Sequence, residues 1–78
     1  MEERVLEVLK EIDEEILEFK GDDLFEAGLL DSFLMIDLVV ELEAAFDMEI
    51  DARYVVAENF RTRDTIMALM RKLTGKAH

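Results

Sequence analysis

The stretch Gly28-Leu29-Leu30-Asp31-Ser32-Phe33 leads into an apolar segment that runs to Phe46 and predicts the central helix of the fold. Asp31 is a favourable N-cap residue, because its carboxylate can accept hydrogen bonds from free amides of the first turn. Ser32 then falls at the start of the helix, beside unpaired N–H groups and the positive end of the helix dipole. Since a helix N-terminus favours a phosphate group, a phosphate ester on Ser32 would be stabilised where it forms.

The composition indicates one small acidic domain that spans residues 1–78. A chain of 78 residues is near the lower size limit for folding without staples, and its 51% hydrophobic residues are enough for a core. The net charge of −11 disfavours nucleic acids and anionic membranes and favours basic patches on protein partners. No apolar run is long enough to cross a bilayer, and the acidic N-terminus is not a signal peptide. We therefore expect a monomeric, cytoplasmic protein.

The sequence offers no catalytic centre. Serine catalysis would need a base near Ser32, and the single histidine, His78, is the last residue. The sequence has no Gly-x-Ser-x-Gly elbow, Walker loop or His-bearing metal motif. The chain also has no cysteine, so thioester chemistry would require an imported thiol. We expect no catalytic residues and a protein that is not an enzyme on its own.

A metal site is also not expected. Four acidic residues match ligand positions of a calcium-loop template: Asp47, Glu49, Asp51 and Glu58. The template needs glycine for its sharp turn, and this chain has Ala52 at that point. The pattern therefore predicts weak binding of divalent cations by clustered carboxylates at most.

Hydrophobic periodicity predicts an all-α bundle of three main helices and one short helix, with a long loop after the first helix. The two predicted helices with definite bounds cover residues 2–18 and about 32–46. Residues 51–58 should include a short helix capped by Asp51, and the last helix should have Thr62 as its N-cap. In the loop, the apolar pair Leu24-Phe25 should hold the chain against the helices. Gly28 is expected to supply a positive φ angle or a close backbone approach before the second helix.

The second helix is apolar on nearly all sides. Its core face should consist of Met35, Leu38, Val39, Leu42 and Phe46. A helix of this kind is either buried on every side or presents a contact surface. We favour a recognition face for partners that have a hydrophobic groove rimmed by Arg and Lys. Its residues are Phe33, Ile36, Asp37, Val40 and Glu41.

The motif Asp22-x-Leu24-Phe25-x-x-Gly28-Leu29-Leu30-Asp31-Ser32-Phe33, continued by Leu38, Leu42-Glu43 and Phe46, resembles the acyl carrier protein superfamily. Its Leu-Leu-Asp-Ser-Phe segment is most similar to the D-alanyl carrier protein branch. The resemblance implies a four-helix carrier-protein bundle. It also implies that Ser32 carries 4′-phosphopantetheine from coenzyme A, with Asp31 as the helix cap beside it.

The function implied by the resemblance is a carrier that holds acyl or aminoacyl groups as thioesters on the arm and delivers them to partner enzymes. The implied partners are a phosphopantetheinyl transferase, an acyl or aminoacyl ligase or synthase, and acyltransferases. The cargo is left open between fatty-acyl, polyketide, peptidyl and D-alanyl groups, in a specialised lipid or cell-envelope pathway. Two other functions remain open, an unmodified helical interaction module and a regulatory or divalent-binding acidic domain. In those cases Ser32 would be a plain helix-start residue or a phosphoserine.

Overall fold

A computed structural model describes residues 1–75, and His78 lies outside this range. Within the described range the chain is helical and has no strand, so the all-α prediction is confirmed. The α-helices are α1 (Glu2–Ile12), α2 (Glu14–Glu18), α3 (Ser32–Phe46) and α4 (Arg63–Gly75). Two 3₁₀ turns, Ala52–Tyr54 and Ala57–Phe60, lie between α3 and α4.

The prediction of one continuous helix over residues 2–18 is wrong, because the backbone is interrupted at Asp13. This residue is extended, with φ −169° and ψ 115°, and its carboxylate accepts a hydrogen bond from the Glu15 N–H at 2.9 Å. Aspartate favours this capping role over a position inside a helix. Val5 in α1 and Ile16 in α2 are nevertheless both buried in the core. The apolar periodicity thus continues across the break.

The short helix predicted to lie within residues 51–58 is present, but as two 3₁₀ turns rather than as an α-helix. The predicted cap at Asp51 is present, because its carboxylate accepts a hydrogen bond from the Arg53 N–H at 2.9 Å. The chain then becomes extended at Val56, with φ −131° and ψ 151°, a conformation that suits a β-branched residue. The second turn ends at Phe60, which is fully buried and fixes this segment to the core.

The core contains only apolar side chains among the described residues, and all four helices contribute to it. Its fully buried members are Val5, Leu9, Ile16, Leu24, Leu38, Leu42, Phe60, Ile66 and Met70. The predicted core face of α3 is confirmed at Leu38, Val39 and Leu42, whereas Met35 and Phe46 are half-buried. The helical periodicity of the large apolar residues therefore identified the inward side of α3 correctly.

The long loop is held as predicted. Leu24 is buried, and its N–H donates to the Arg61 carbonyl at 2.7 Å. The Leu24 carbonyl in turn accepts the N–H groups of Leu29 and Leu30 at 3.0 and 3.2 Å. Gly28 has a φ of 82°, a conformation that glycine adopts without steric cost. This tight turn brings the chain to the start of α3.

Polar contacts hold α4 against the first two helices. Thr62 caps α4 as predicted, because its Oγ accepts the Thr65 N–H at 3.1 Å. The next residue, Arg63, donates from Nη1 to the Leu17 carbonyl near the end of α2 at 2.8 Å. Further along α4, Arg71 donates from Nε to the Glu2 carboxylate at 3.0 Å. None of these contacts involves a residue of α3.

Candidate functional site

Asp31 forms the cap that positions Ser32. Its backbone is extended, with φ −140° and ψ −177°, and its carboxylate accepts the Leu34 N–H at 2.8 Å. Its carbonyl accepts the Met35 N–H at 2.8 Å, which closes the first turn. The predicted N-cap is therefore confirmed, and α3 begins at Ser32.

Ser32 is exposed to solvent at the first position of α3. Its hydroxyl has no hydrogen-bond partner within residues 1–75, and the same holds for the amides of Ser32 and Phe33. The first turn therefore presents two free N–H donors at the positive end of the helix dipole. An exposed hydroxyl beside such donors fits a phosphodiester, whose oxygens need donors and whose charge the dipole favours.

No side chain in the described part of the chain hydrogen-bonds to Ser32 as a base would. Nucleophilic serines depend on such a base to remove the proton. The described residues therefore do not place such a base in hydrogen-bond contact with the Ser32 hydroxyl.

The outer side of α3 is an apolar ridge, which we define as Phe33, Ile36 and Val40. These side chains are 77%, 52% and 53% exposed, respectively. Burial of α3 on every side, one of the two interpretations of its sequence, is therefore wrong. Asp37 and Glu41 are also exposed, so the structure brings together all five residues of the predicted recognition face. Large apolar side chains that are clustered and exposed are typical of interaction sites.

A surface groove of about 200 Å³ lies between α1 and α3. It was not predicted from the sequence. Glu41 and Ala44 line it on the α3 side, and Arg4, Glu7 and Glu11 line it on the α1 side. The spacing of Glu7 and Glu11 by four residues does predict that they share one side of a helix. The sequence pattern within α1 does not predict, however, that this side of the helix faces the same groove as Glu41.

Two residues of the calcium-loop pattern have structural roles at the ends of helical segments. Asp47 ends α3 in the left-handed conformation, with φ 53°, and its N–H donates to the Glu43 carbonyl. Asp51 caps the first 3₁₀ turn. Within residues 1–75, no group of three or more His, Cys, Asp or Glu side chains is arranged to hold a metal ion.

Comparison of the sequence with known proteins identifies the family to which the chain belongs. The sequence profile described as "Phosphopantetheine attachment site" matches residues 2–69. The D-alanyl carrier protein of Lactococcus lactis subsp. cremoris is 36% identical over 97% of this chain and 99% of its own length. Those of Leuconostoc citreum and Streptococcus suis are each 32% identical, over 96% and 87% of this chain and 97% and 87% of their own lengths. No solved structure matches the chain significantly.

The chain belongs to the phosphopantetheine-attachment family, and it is a carrier protein domain with covalently bound 4′-phosphopantetheine as its cofactor. The bound group supplies a terminal thiol that forms thioesters. The family has carrier activity and generally relies on a transferase and ligases as partners. Among the described helices, none combines the length and apolar character that crossing a bilayer requires.

Proposed function

We propose that Ser32 is the attachment residue of the 4′-phosphopantetheine arm and that the thiol of the arm carries D-alanine as a thioester. The exposed Ser32 hydroxyl beside free amides at the start of α3 is the observation that carries the attachment proposal. The cargo is supported by the D-alanyl carrier proteins that share about a third of the sequence over nearly the whole chain.

The residues around Ser32 have separate roles in this proposal. A transferase joins the arm from coenzyme A to the Ser32 oxygen. The free amides of Ser32 and Phe33 then face the negative phosphodiester and stabilise its charge. Asp31 holds the first turn in place, because its carboxylate accepts the Leu34 N–H. The domain itself catalyses no bond change, so the chemistry belongs to its partners.

The partners dock on the outer side of α3. The ridge of Phe33, Ile36 and Val40 supplies apolar contact, and Asp37 and Glu41 attract basic side chains. The partners in this proposal are a phosphopantetheinyl transferase, an aminoacyl ligase and an acyltransferase that accepts the cargo. The domain acts as a monomer in the cytoplasm, where coenzyme A and ATP are available.

Intact-mass measurement tests the attachment residue. After incubation with coenzyme A and a broad-specificity phosphopantetheinyl transferase, we expect one arm on the wild type and none on Ser32→Ala. Ser32→Ala should remain folded, since Asp31 and not Ser32 caps the helix. Modification of Ser32→Ala, or an unmodified wild type in the presence of an active transferase, would contradict the attachment proposal.

A second measurement tests the cargo. The arm-bearing protein is incubated with ATP and either a D-alanine-activating ligase or a fatty-acyl-activating ligase, and the thioester is identified by mass. We expect loading of D-alanine and none of fatty acid. Loading of fatty acid alone would reject the D-alanyl cargo while leaving the carrier function intact.

A further inference from the structure

The two flanks of the apolar ridge differ in charge. At 100° per residue, Asp37 and Glu41 lie about 40° and 80° to one side of Phe33. Ile36 and Ser32 lie about 60° and 100° to the other side. The attachment residue and the free carboxylates of α3 are thus on opposite flanks of the ridge.

The contacts of α3 confirm which neighbour each flank faces. Glu41, on the acidic flank, lines the groove shared with α1. Glu43 lies on the Ser32 flank, about 80° from Phe33, and its carboxylate accepts the Ile50 N–H at 2.7 Å. The Ser32 flank therefore faces the segment after α3. The one glutamate on this flank, Glu43, is already hydrogen-bonded to that segment.

The acidic flank continues across the groove onto α1. Glu7 and Glu11 stand opposite Glu41, and all three side chains are exposed. Arg4 lies within 3.4 Å of Glu7, but both members of this pair are more than half exposed, so the attraction is weak. Glu11 and Glu41 form no ion pair with any residue in the described range. Arg4 also lines the groove, but three carboxylates outnumber this one cation, so the lining has a net negative charge. Small side chains such as Ala44 leave space in the groove.

We infer that the docking surface of the carrier extends from the ridge across this groove to Glu7 and Glu11 of α1. It fits a protein partner whose Arg or Lys side chains lie on only one side of its apolar docking groove. Those cations enter between α1 and α3, while the partner's active site lies over the Ser32 flank. The inference rests on the proposed function, because the partner is an enzyme that acts at Ser32. Charge complementarity and continuity with the ridge support this occupant.

The test compares two pairs of substitutions that change the net charge equally. Glu7→Gln with Glu11→Gln alters the groove, and Glu14→Gln with Glu18→Gln alters two exposed glutamates of α2 at the same spacing. The probe is the phosphopantetheinyl transferase, and the readout is kcat/KM for arm transfer at about 50 mM and about 500 mM salt. Thermal melting of each variant verifies that it is folded.

We expect the groove variant to lose about five- to tenfold in kcat/KM at low salt through KM, because rim charges act on the encounter rate. The α2 variant should change less than about twofold, and the difference should disappear at high salt because the charges are screened. Equal losses in both variants would overturn the inference, since net charge alone would then set the rate. An unaffected groove variant would overturn it as well. A wild-type protein that takes no arm would overturn the proposed function together with it.

Discussion

Asp31 and Ser32 have complementary roles at the start of α3. A serine in this region often caps a helix with its own hydroxyl, which would engage the oxygen to which we propose that the arm is attached. Here the Asp31 carboxylate binds the Leu34 N–H, and the Ser32 hydroxyl stays unbonded and exposed. Capping by the preceding residue thus leaves the serine hydroxyl unbonded, as the proposed attachment requires.

Asp31→Ala should lower the free energy of unfolding by about 0.5–2 kcal/mol, because it removes the acceptor for the Leu34 amide. Urea denaturation followed by circular dichroism measures this change. Asp31→Asn keeps an acceptor oxygen and should cost much less. Asp22→Ala, at an exposed aspartate without a hydrogen bond, is the control. Equal effects of Asp31→Ala and Asp22→Ala would contradict the capping role.

Capping residues were predictable from sequence where the signal was local. Asp31 and Thr62 precede apolar periodic segments and cap them as expected. Asp13 lies inside such a segment, and its cap was missed because Val5 and Ile16 keep helical spacing on both sides. The prediction gave more weight to the helical periodicity than to the capping preference of Asp13. In the structure Asp13 caps α2 and interrupts the helix.

At the scale of elements, α3 serves the core and the surface at once. Its inner side contributes Leu38 and Leu42 to the core, and its outer side exposes Phe33 and Val40. Most surface helices are polar on the side away from the core. The departure of α3 from that pattern gives the domain a contact surface that does not require any rearrangement.

Leu42→Ala and Val40→Ala should separate these two roles. Leu42 is fully buried, so its truncation should destabilise the protein by about 2–5 kcal/mol through lost burial and a cavity. Val40 is 53% exposed, so Val40→Ala should leave the fold nearly unchanged and weaken binding to the transferase. Chemical denaturation and a binding titration measure the two effects. Equal destabilisation would mean that both sides of α3 belong to the core.

The segment between α3 and α4 contains the predicted short helix, but as 3₁₀ turns. Asp51 was correctly identified as a cap, but the turn after it does not propagate into an α-helix. The backbone becomes extended at Val56, and Phe60 is drawn into the core. Short segments rich in β-branched residues are decided by tertiary packing rather than by propensity, which a single sequence does not display.

At the scale of the whole molecule, the charges are unevenly distributed along the chain. Residues 21–52, which include all of α3, contain ten Asp or Glu and no Lys or Arg. In the described range, ion pairs within 4.0 Å join only Arg4 to Glu7, Arg53 to Asp51 and Arg71 to Glu2. Most of the negative charge is therefore unpaired and repels itself.

Added salt should stabilise the folded protein by screening this repulsion. If screening recovers about 1 kcal/mol, the melting temperature should rise by about 4–8 °C in a domain of this size. Millimolar Mg²⁺ should act in the same direction. Differential scanning calorimetry over a series of NaCl concentrations measures the shift. A melting temperature that does not change with salt would contradict the repulsion argument.

The sequence predicted the ridge on α3 but not the groove beside it. The ridge follows from helical periodicity within α3, so Phe33, Ile36 and Val40 could be assigned to one side. The groove depends on how α1 packs across α3, which brings Glu11 next to Glu41. Such a juxtaposition between elements distant in the chain is a property of tertiary structure.

The exposed ridge carries a risk of self-association that the charge of the molecule offsets. Side chains such as Phe33 would adhere to the same patch on a second copy if the copies could approach each other. Since every copy has a net charge of −11, electrostatic repulsion should oppose the approach of two ridges. A cationic enzyme experiences attraction over the same distance. Under the proposed function, the negative charge should therefore disfavour contact between identical molecules and favour contact with the cationic enzymes that dock on the ridge.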